Sequence, residues 1–342
     1  MARLSIGIVT WQSADVIEAC LDSVRRLTWP DVEVRVLDNA SNDGTRAALE
    51  RLTTADERLY LPENVGFAAA HNQLIRRSSG EFYLALNPDV ELESGFVEPL
   101  LDAMAVDPTL GSATGKLVRF EPPGVIDSAG IVMVPSQRHL DRGAGEPDDG
   151  RFDRREYVFG ASGAAACYRR AMLDDVRVAG EYFDEHFFAY REDADLAWRS
   201  QLFGWSCAYV PAARARHRRR VTPERRSSLS ADVNRYGVRN RFLLRLKNQP
   251  LGHALTFALP TLVRDLQVVG YVLLRERSSV GGLVDVIRLL PEAWAKRQEI
   301  QRRRTMSVRA LNAWFRQESR PWPGADSRPG SNEIEPGPGK LG

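Results

Sequence analysis

The stretch LALNPDVEL, residues 84–92, indicates the architecture of this chain. Its apolar half is typical of a buried strand. That strand is predicted to end before Pro88, because proline cannot donate a hydrogen bond to a sheet ladder. A carboxylate, Asp89, therefore stands at the carboxyl end of the strand. Ligands bind at that edge in open α/β sheets, so the stretch predicts a ligand-binding carboxylate there.

Strand and helix patterns alternate through the first part of the chain. The predicted strands are LSIGIVTW, VEVRVLDN, RLYLP and EFYLAL, and the predicted helices between them are residues 14–26, SNDGTRAALERL and VGFAAAHNQLIRR. Such alternation indicates an α/β fold with a mostly parallel sheet covered on both faces. Further along, we predict irregular strands and loops over residues 121–155, an interrupted strand in YVFGASGAAACYRR, a helix in EDADLAWRSQLFGW and a final strand in SCAYVP.

Composition divides the chain into three parts. Residues 1–225 are predicted to form the α/β domain, and residues 226–318 a helical extension with apolar and arginine-rich faces. Residues 319–342 are rich in Pro and Gly and are predicted to be disordered.

Charge and cysteine content limit the classes of partner and compartment. The 342-residue chain has a formal net charge of only +2, so we expect no nucleic-acid partner. Its three cysteines are far apart and are typical of reduced thiols in the cytoplasm. The apolar segment 251–263 is too short for a membrane span, which needs about 20 residues. We expect a cytoplasmic protein, either soluble or peripheral at the inner face of the cell membrane.

Residues that follow strands are the first candidates for ligand contacts. Asp38 ends the second strand, where it could bind a nucleotide base or ribose, or cap the following turn. No G-x-G-x-x-G follows the first strand, and no P-loop pattern occurs. Phosphate charge would then be neutralised by Mg²⁺ or Mn²⁺ held by Asp89. The alternative is that Asn87 to Asp89 form only a turn.

A second acidic cluster, Glu192, Asp193 and Asp195, begins a predicted helix, where acids suit the helix dipole. The aromatic segment DEHFFAY precedes it and could desolvate a carboxylate, which raises the pKa toward use as a base. We expect Asp195 to pair instead with Arg199, four positions on. His217 lies among the arginines of RARHRRR and is a metal ligand, a pyrophosphate contact or one member of a basic loop.

Seven segments in this order resemble the family 2 glycosyltransferases. They are SIGIVTWQSADVIEACLDSV, VLDNASNDGT, ENVGFAAAHN, LNPDV, GASGAAACYRR, FFAYREDADLAWR and PAARARH, all between residues 3 and 220. The resemblance implies a GT-A fold, with a Rossmann-like central sheet flanked by helices, followed here by the helical extension. ENVGFAAAHN and LNPDV look most similar to the rhamnosyltransferase branch, which often uses dTDP-rhamnose.

The resemblance also implies roles for single residues. Asp193 matches the catalytic base of the family. Asp89 matches the last position of the D-x-D metal motif, whose first position is Asn87 here, and His217 matches a histidine that completes the metal site in some members. The residues expected to contact substrates are Thr10, Asp38, Asn64, Gly66, Asn72, Asn87, Gly163 and Glu192.

The implied activity is metal-dependent, inverting transfer of a sugar from a nucleoside-diphosphate sugar to a hydroxyl of a glycan or polyprenyl-diphosphate-linked acceptor, in cell-envelope polysaccharide synthesis. The favoured donor is dTDP-rhamnose, and the alternative is a UDP-sugar. A non-catalytic sugar-nucleotide or glycan-binding module is a second alternative, against which Asp89 and Asp193 argue. Nucleotidyl transfer needs a phosphate loop rich in glycine and lysine, and TWQSADVIEA contains neither residue.

The extension supports two interpretations. Residues 251–277 combine apolar faces with Arg264, Arg275 and Arg277. A basic amphipathic helix tends to lie in the interface of anionic lipid, which would suit a lipid-linked acceptor. The alternative is a pair of helices packed on the catalytic domain.

Overall fold

The computed structural model describes residues 2–219, 231–318 and 320–322. The strands are β1 (Leu4–Thr10), β2 (Val32–Asp38), β3 (Arg58–Tyr60), β4 (Phe82–Leu86), β5 (Val90–Leu92), β6 (Leu110–Arg119), β7 (Ile126–Ser128), β8 (Ile131–Met133), β9 (His139–Asp141), β10 (Glu156–Val158), β11 (Ala165–Arg169) and β12 (Ser206–His217). The helices are α1 (Ile17–Arg25), α2 (Thr45–Leu52), α3 (Gly66–Arg77), α4 (Val97–Val106), α5 (Arg170–Asp175), α6 (Glu192–Leu202), α7 (Ala231–Asn248), α8 (Leu251–Thr256), α9 (Ala258–Leu274), α10 (Val280–Arg288), α11 (Leu290–Arg303) and α12 (Val308–Phe315).

One central sheet organises the predicted α/β domain. Its strand order is β10-β12-β6-β11-β4-β1-β2-β3, with β5 added to β12 and β7 to β6. The strands β3, β2, β1 and β4 are parallel, as the alternating pattern predicts. The other half is mixed, because β11 runs antiparallel to both β4 and β6 while β12 is parallel to β6. The predicted α/β class is therefore confirmed, but parallel pairing is confined to part of the sheet.

Strand β4 shows why its sequence is apolar throughout. Leu84 and Leu86 belong to the apolar cluster that contains the buried residues of α1, whereas Tyr83 and Ala85 belong to the cluster that contains those of α3. Successive side chains of a strand point to opposite faces, so both faces of β4 are covered. This burial places the polar residues that follow β4 at the open carboxyl edge of the sheet.

Two predicted boundaries differ from the structure. Strand β12 continues through His217, so the described arginines from 214 to 216 are part of a strand and not of a loop. The interrupted strand in YVFGASGAAACYRR is two separate strands, β10 and β11, which pair with different neighbours. The connection between them, residues 159–164, crosses the carboxyl edge of the sheet and contributes to the site described below.

Three residues of the segment predicted to be disordered lie against the edge strand β10. The backbone N–H of Tyr157 donates to the carbonyl of Arg320 over 3.1 Å. The ring of Trp322 stacks on the ring of Tyr157, with 5.0 Å between their centroids. Residues 320–322 are therefore ordered on the sheet. The remainder of that prediction, residues 319 and 323–342, falls outside the described part of the chain.

The extension is helical, as predicted, and α7 packs on the catalytic domain through buried polar contacts. The carboxylate of Asp195 is fully buried. It accepts hydrogen bonds from Arg199 at 3.1 Å, from Lys247 at 3.0 Å and from Asn248 at 2.7 Å. The predicted pair of Asp195 and Arg199 is thus present, and Lys247 and Asn248 join α7 to α6. Helix α7, which precedes residues 251–277, is therefore packed on the α/β domain.

Helices α8 to α11 carry many exposed large apolar side chains, which together we call the apolar face. Among the described residues, all strongly exposed large apolar side chains except Trp11 and Val106 lie on this face. They are Leu251, Leu255, Leu259, Leu262, Val263, Leu266, Tyr271, Leu273, Leu274, Val284, Ile287, Leu290 and Trp294. The opposite side is anchored by His253, which is fully buried and hydrogen-bonds to Asn312. Within residues 2–219, 231–318 and 320–322, no helix combines the length and apolarity that crossing a bilayer requires.

Candidate active site

The ends of β1 and β2 place Thr10 and Asp38 side by side, because the two strands pair in register there. The side chain of Asp38 is fully buried. Its carboxylate accepts hydrogen bonds from Thr10 Oγ1 at 3.1 Å, from the backbone N–H of Ser41 at 3.1 Å and from Arg46 Nε at 2.8 Å. Asp38 therefore caps the turn that follows β2, which is one of the two roles that the sequence allowed. Its contact with a nucleotide stays a prediction.

The loop before α3 depends on Asn64 and Gly66. Asn64 Oδ1 accepts a hydrogen bond from the N–H of Gly66 over 2.9 Å. Gly66 has a φ of +83°, which favours glycine. A Cβ at this position would lie 2.5 Å from the carbonyl oxygen of Phe188. Glycine is therefore required both by the backbone conformation and by the close approach of the segment that precedes α6.

Asn72 fixes that same segment from α3. Its amide nitrogen donates to the carbonyl of Phe183 at 2.8 Å and to Glu185 at 2.9 Å, and its Oδ1 accepts from the N–H of Phe183 at 2.8 Å. Asn72 is fully buried. In this structure its side chain holds the protein's own backbone, and the predicted contact with substrate stays untested.

The turn after β4 brings together two residues that are far apart in sequence. The backbone N–H of Asn87 donates to the carbonyl of Ala164 over 2.9 Å, which sets the turn against the segment 159–164. Strand β5 then pairs antiparallel with β12, so that Val90 lies opposite His217. Consequently His217 Nε2 lies 3.3 Å from Asp89 Oδ1.

A second carboxylate, Asp127, holds the other side of His217. His217 Nδ1 lies 2.7 Å from Asp127 Oδ2, and both residues are buried. Burial alone would lower the pKa of His217, but the hydrogen bonds to Asp127 and Asp89 raise it to about 9. The imidazole is therefore protonated near neutral pH and bridges the two carboxylates. Asp127 was not identified from the sequence, because it lies in a segment predicted only as loops and irregular strands.

Asp89 and His217 fit a divalent ion as a partial ligand set. Nowhere in the described residues do three or more His, Cys, Asp or Glu side chains form a group that could hold a metal. The pair offers one carboxylate oxygen and, once the imidazole has released a proton to make room for the metal, one nitrogen, side by side at the carboxyl edge of the sheet. Mg²⁺ commonly takes one or two protein ligands and completes its shell with substrate phosphates and water. A bound nucleoside diphosphate would supply those oxygens.

The first turn of α6 places Asp193 against Gly163. Asp193 is half-buried, and its carboxylate accepts hydrogen bonds from the N–H of Gly163 at 3.0 Å and of Ala194 at 2.7 Å. Burial raises the pKa of Asp193 above its ordinary value, and the two backbone N–H groups oppose the rise. A Cβ at Gly163 would lie 3.3 Å from Asp193 Cβ, so a larger residue would press on this carboxylate. Gly163 and its neighbour Ala164 thus connect Asp193 to the turn that carries Asp89.

Glu192 lies beside Asp193 and is buried. Its Oε2 has no hydrogen-bond partner within the part of the chain that the structure describes. Burial, reinforced by the charge of Asp193, raises the pKa of Glu192 well above its ordinary value. The three acids of the cluster therefore have different environments. Asp195 is ion-paired, Asp193 faces backbone donors and Glu192 favours its neutral form.

The segment before α6 is held by residues that sequence reasoning missed. Phe188, Tyr190 and Arg191 all have positive φ, between 61° and 73°. Asn240 of α7 is fully buried, and its amide nitrogen donates to the carbonyls of Phe187, Ala189 and Tyr190 at 2.8, 3.0 and 2.8 Å. No local pattern marks this contact, because its partners are about fifty positions apart along the chain. We call residues 185–191 the base loop, since they lead directly to Asp193.

Comparisons with known proteins concern this same part of the chain. The family model described as "Glycosyl transferase family 2" matches residues 5–177. The N-acetylglucosaminyl-diphospho-decaprenol L-rhamnosyltransferase of Mycobacterium tuberculosis is 31% identical over 237 residues, which cover 63% of this chain and 75% of that relative. The putative teichuronic acid biosynthesis glycosyltransferase TuaG of Bacillus subtilis is 31% identical over 33% of this chain and 46% of its own length.

Solved structures show the same fold at low sequence identity. Residues 1–349 of Staphylococcus aureus TarS, in complex with UDP-GlcNAc, align with a TM-score of 0.55 and 18% identity, over 92% of this chain and 91% of that one. GalNAc-T7 with UDP, GalNAc and Mn²⁺ aligns with a TM-score of 0.56 and 14% identity, over 72% of this chain and 48% of that one. At these identities the likeness concerns the fold alone.

Replacement of Glu192 by Gln is expected to stabilise the protein at neutral and alkaline pH. A carboxyl whose pKa is raised by folding contributes stability below its unfolded value, near 4.5, and loses it as pH rises through the folded value. Gln stays neutral at every pH. Chemical denaturation should therefore show similar unfolding free energies for both proteins at pH 4 and an advantage for Glu192→Gln at pH 8.

The exposed Glu50→Gln provides the matched control, with no comparable pH-dependent gain. A Glu192→Gln protein that is less stable than the parent at pH 8 would contradict the burial argument.

Proposed function

This chain belongs to glycosyltransferase family 2, and we propose that it transfers a sugar from a nucleoside-diphosphate donor to a hydroxyl of a polyprenyl-diphosphate-linked acceptor. The family model covers half of the chain, and the 31% identical relative confirms the likeness to the rhamnosyltransferase branch. The predicted enzyme class and GT-A fold are confirmed with it. L-Rhamnose is the proposed sugar, because that relative is an L-rhamnosyltransferase, and dTDP-rhamnose is the proposed donor. The diphospho-decaprenol in the name of the relative supports the polyprenyl-diphosphate-linked acceptor.

The observation that carries the proposal is the link between Asp89 and Asp193 through residues 163–164. The carbonyl of Ala164 binds the backbone of the turn that bears Asp89, and the N–H of Gly163 binds Asp193. Groups suited to a diphosphate and to a reacting hydroxyl thus stand at one sheet edge in a fixed relation. Such positioning is what a displacement between two bound substrates requires.

Asp193 is the proposed general base. A sugar hydroxyl is a weak nucleophile, so a carboxylate must accept its proton as attack proceeds. Burial raises the pKa of Asp193, which strengthens it as a proton acceptor, and the N–H of Gly163 fixes its orientation. A single base that acts opposite the leaving group produces inversion at the anomeric carbon. Glu192 is proposed to orient a substrate hydroxyl from the adjacent position.

Asp89 and His217 are the proposed metal ligands. Mg²⁺ or Mn²⁺ bound there would neutralise the diphosphate as it leaves, which lowers the barrier to bond breaking. The GalNAc-T7 structure, which has the same fold, contains UDP and Mn²⁺.

The nucleoside is proposed to bind near the carboxyl ends of β1 and β2, which carry Thr10 and Asp38. Asn64, Gly66 and Asn72 shape the neighbouring loop. Asn87 begins the turn that leads to Asp89.

The apolar face supports peripheral association with the inner face of the membrane. Contiguous exposed apolar surface on a soluble domain usually marks an interaction site. The acidic side chains between residues 251 and 294 are engaged within the chain: Asp265 binds Arg245, Asp285 binds Arg235, Glu276 binds Ser279 and Glu292 binds His186. Arg275 and Arg277 remain exposed beside the apolar side chains. Apolar area flanked by cationic groups is the combination that anionic lipid surfaces bind.

The replacement Asp193→Asn is expected to reduce sugar transfer by ~10² or more, the usual contribution of a positioned base. Donor affinity should be retained, because the proposed donor contacts lie elsewhere on the sheet edge. Release of nucleoside diphosphate with dTDP-rhamnose, UDP-galactose, UDP-glucose, UDP-N-acetylglucosamine and GDP-mannose measures transfer and identifies the donor. The exposed Asp56→Asn serves as the control. Near-normal turnover of Asp193→Asn would assign the base to another residue.

Metal removal is expected to abolish transfer. EDTA should stop the reaction, added Mg²⁺ or Mn²⁺ should restore it, and Asp89→Ala should leave a residual rate that chelation does not lower further. Calorimetry should show that Asp89→Ala weakens donor binding in the presence of Mn²⁺ more than in its absence. Full activity of the parent protein in EDTA would exclude the metal and leave Asp89 as a turn residue.

Membrane binding is expected to require the apolar face. The double variant Leu262→Glu/Leu266→Glu should lose flotation with anionic liposomes at low salt, because both exposed side chains would place charge against the acyl region. Val106→Glu, at an even more exposed apolar position on α4, should float like the parent protein. Absence of flotation for the parent would assign the apolar face to a protein contact.

A further inference from the structure

We propose that a cavity between the base loop and the extension binds the diphosphate group of the lipid-linked acceptor. The cavity has a volume of about 370 Å³. Phe188 of the base loop forms one wall, Arg235, Tyr236 and Arg239 of α7 form another, and Asp285 and Arg288 of α10 close it. This inference rests on the proposed function, because it names the part of the acceptor that the enzyme would recognise.

The position of the cavity suits an acceptor. Phe188 precedes the proposed base by five residues and stacks on Tyr236 with 4.9 Å between ring centroids. On its other side, the carbonyl of Phe188 accepts a hydrogen bond from the N–H of Ala68 at the start of α3, just after the loop that contains Asn64 and Gly66. The wall of the cavity is thus continuous with the segment that carries Asp193. A group bound there lies beside the segment that leads to Asp193.

Three arginine side chains line the cavity, whereas one carboxylate there, that of Asp285, is ion-paired with two of them. Arg235 makes two hydrogen bonds to Asp285, at 2.7 and 2.8 Å, and Arg288 lies 4.0 Å from the same carboxylate. Glu185 also lines the cavity, but its carboxylate accepts a hydrogen bond from Asn72 and lies 4.0 Å from Arg76, which is outside the lining.

Arg239 adds a positive charge that is not neutralised by a carboxylate. It is 9% exposed, donates to the carbonyls of His186 and Phe187, and forms no ion pair with any carboxylate in the described ranges. Its guanidinium lies over the ring of Tyr236, 4.7 Å from the centroid. Arginine presents paired N–H donors that match phosphate oxygens, so a cavity with surplus guanidinium charge favours a phosphate-bearing ligand.

The apolar face meets the cavity at Arg288. The neighbours of Arg288 and Leu289 in the chain, Ile287 and Leu290, are 72% and 44% exposed and belong to that face. A ligand with a diphosphate in the cavity can therefore place an apolar chain along the face and a sugar toward the base loop. A polyprenyl-diphosphate-linked sugar has these three parts in this order. A phospholipid headgroup shares the phosphate and the apolar chain, so the test must separate the two sources.

The test is the binding of geranyl diphosphate to the full chain by calorimetry in EDTA, which keeps a metal-dependent donor site empty. Arg288→Ala should weaken binding about five- to tenfold, the effect of losing one charge-assisted contact at a partly exposed site. Its side chain is 72% exposed, so the variant should fold normally. Arg302→Ala removes an exposed arginine outside the cavity and should bind like the parent. Dihexanoyl phosphatidylglycerol should bind more weakly, and without dependence on Arg288.

Equal affinity of the parent protein and Arg288→Ala for geranyl diphosphate would overturn the proposal. Equal affinity for dihexanoyl phosphatidylglycerol, with the same dependence on Arg288, would overturn the acceptor assignment and identify a lipid headgroup site. Failure of the proposed function gives a different result: geranyl diphosphate binds through Arg288, but no donor yields sugar transfer.

Discussion

The carboxylate of Asp195 has no access to water, and donors from two parts of the chain surround it. Arg199 belongs to the same helix, whereas Lys247 and Asn248 come from the extension. Breaking a buried ionic contact of this kind by removing one partner typically costs about 3–5 kcal/mol, because a desolvated charge is left uncompensated. Lys247 also binds Asp184, just before the base loop. The start of α6, and with it Asp193, is therefore positioned by residues more than fifty places further along the chain.

This dependence makes the extension a structural support of the proposed base. The base loop contains three non-glycine residues with positive φ, a conformation that persists only where surrounding contacts determine it. Asn240 supplies three of those contacts and Arg239 two more. The helices that carry these residues continue into those that form the apolar face.

Local patterns were sufficient to predict the parallel half of the sheet and part of the cluster in α6. Apolar runs that alternate with amphipathic helices encode β1 to β4, and four-residue spacing encodes the pair of Asp195 and Arg199. The same reasoning failed where partners meet only through the tertiary fold. Asp127 reaches His217 across ninety positions, and β11 inserts antiparallel between strands that precede it. Neither contact produces a periodic pattern in the sequence, because the two partners are far apart along the chain and each segment has its own local pattern.

The last residues that the structure describes cover the edge of the sheet at β10. Strand β10 ends the strand order on one side, and Pro321 forms a bridge with Glu156 there. Proline lacks an N–H, so it covers the edge without extending the ladder to a further strand. Trp322 shields the ring of Tyr157 at the same place. A chain shortened before residue 320 would present an open β-edge and a bare aromatic ring, and would gain a route to intermolecular strand pairing.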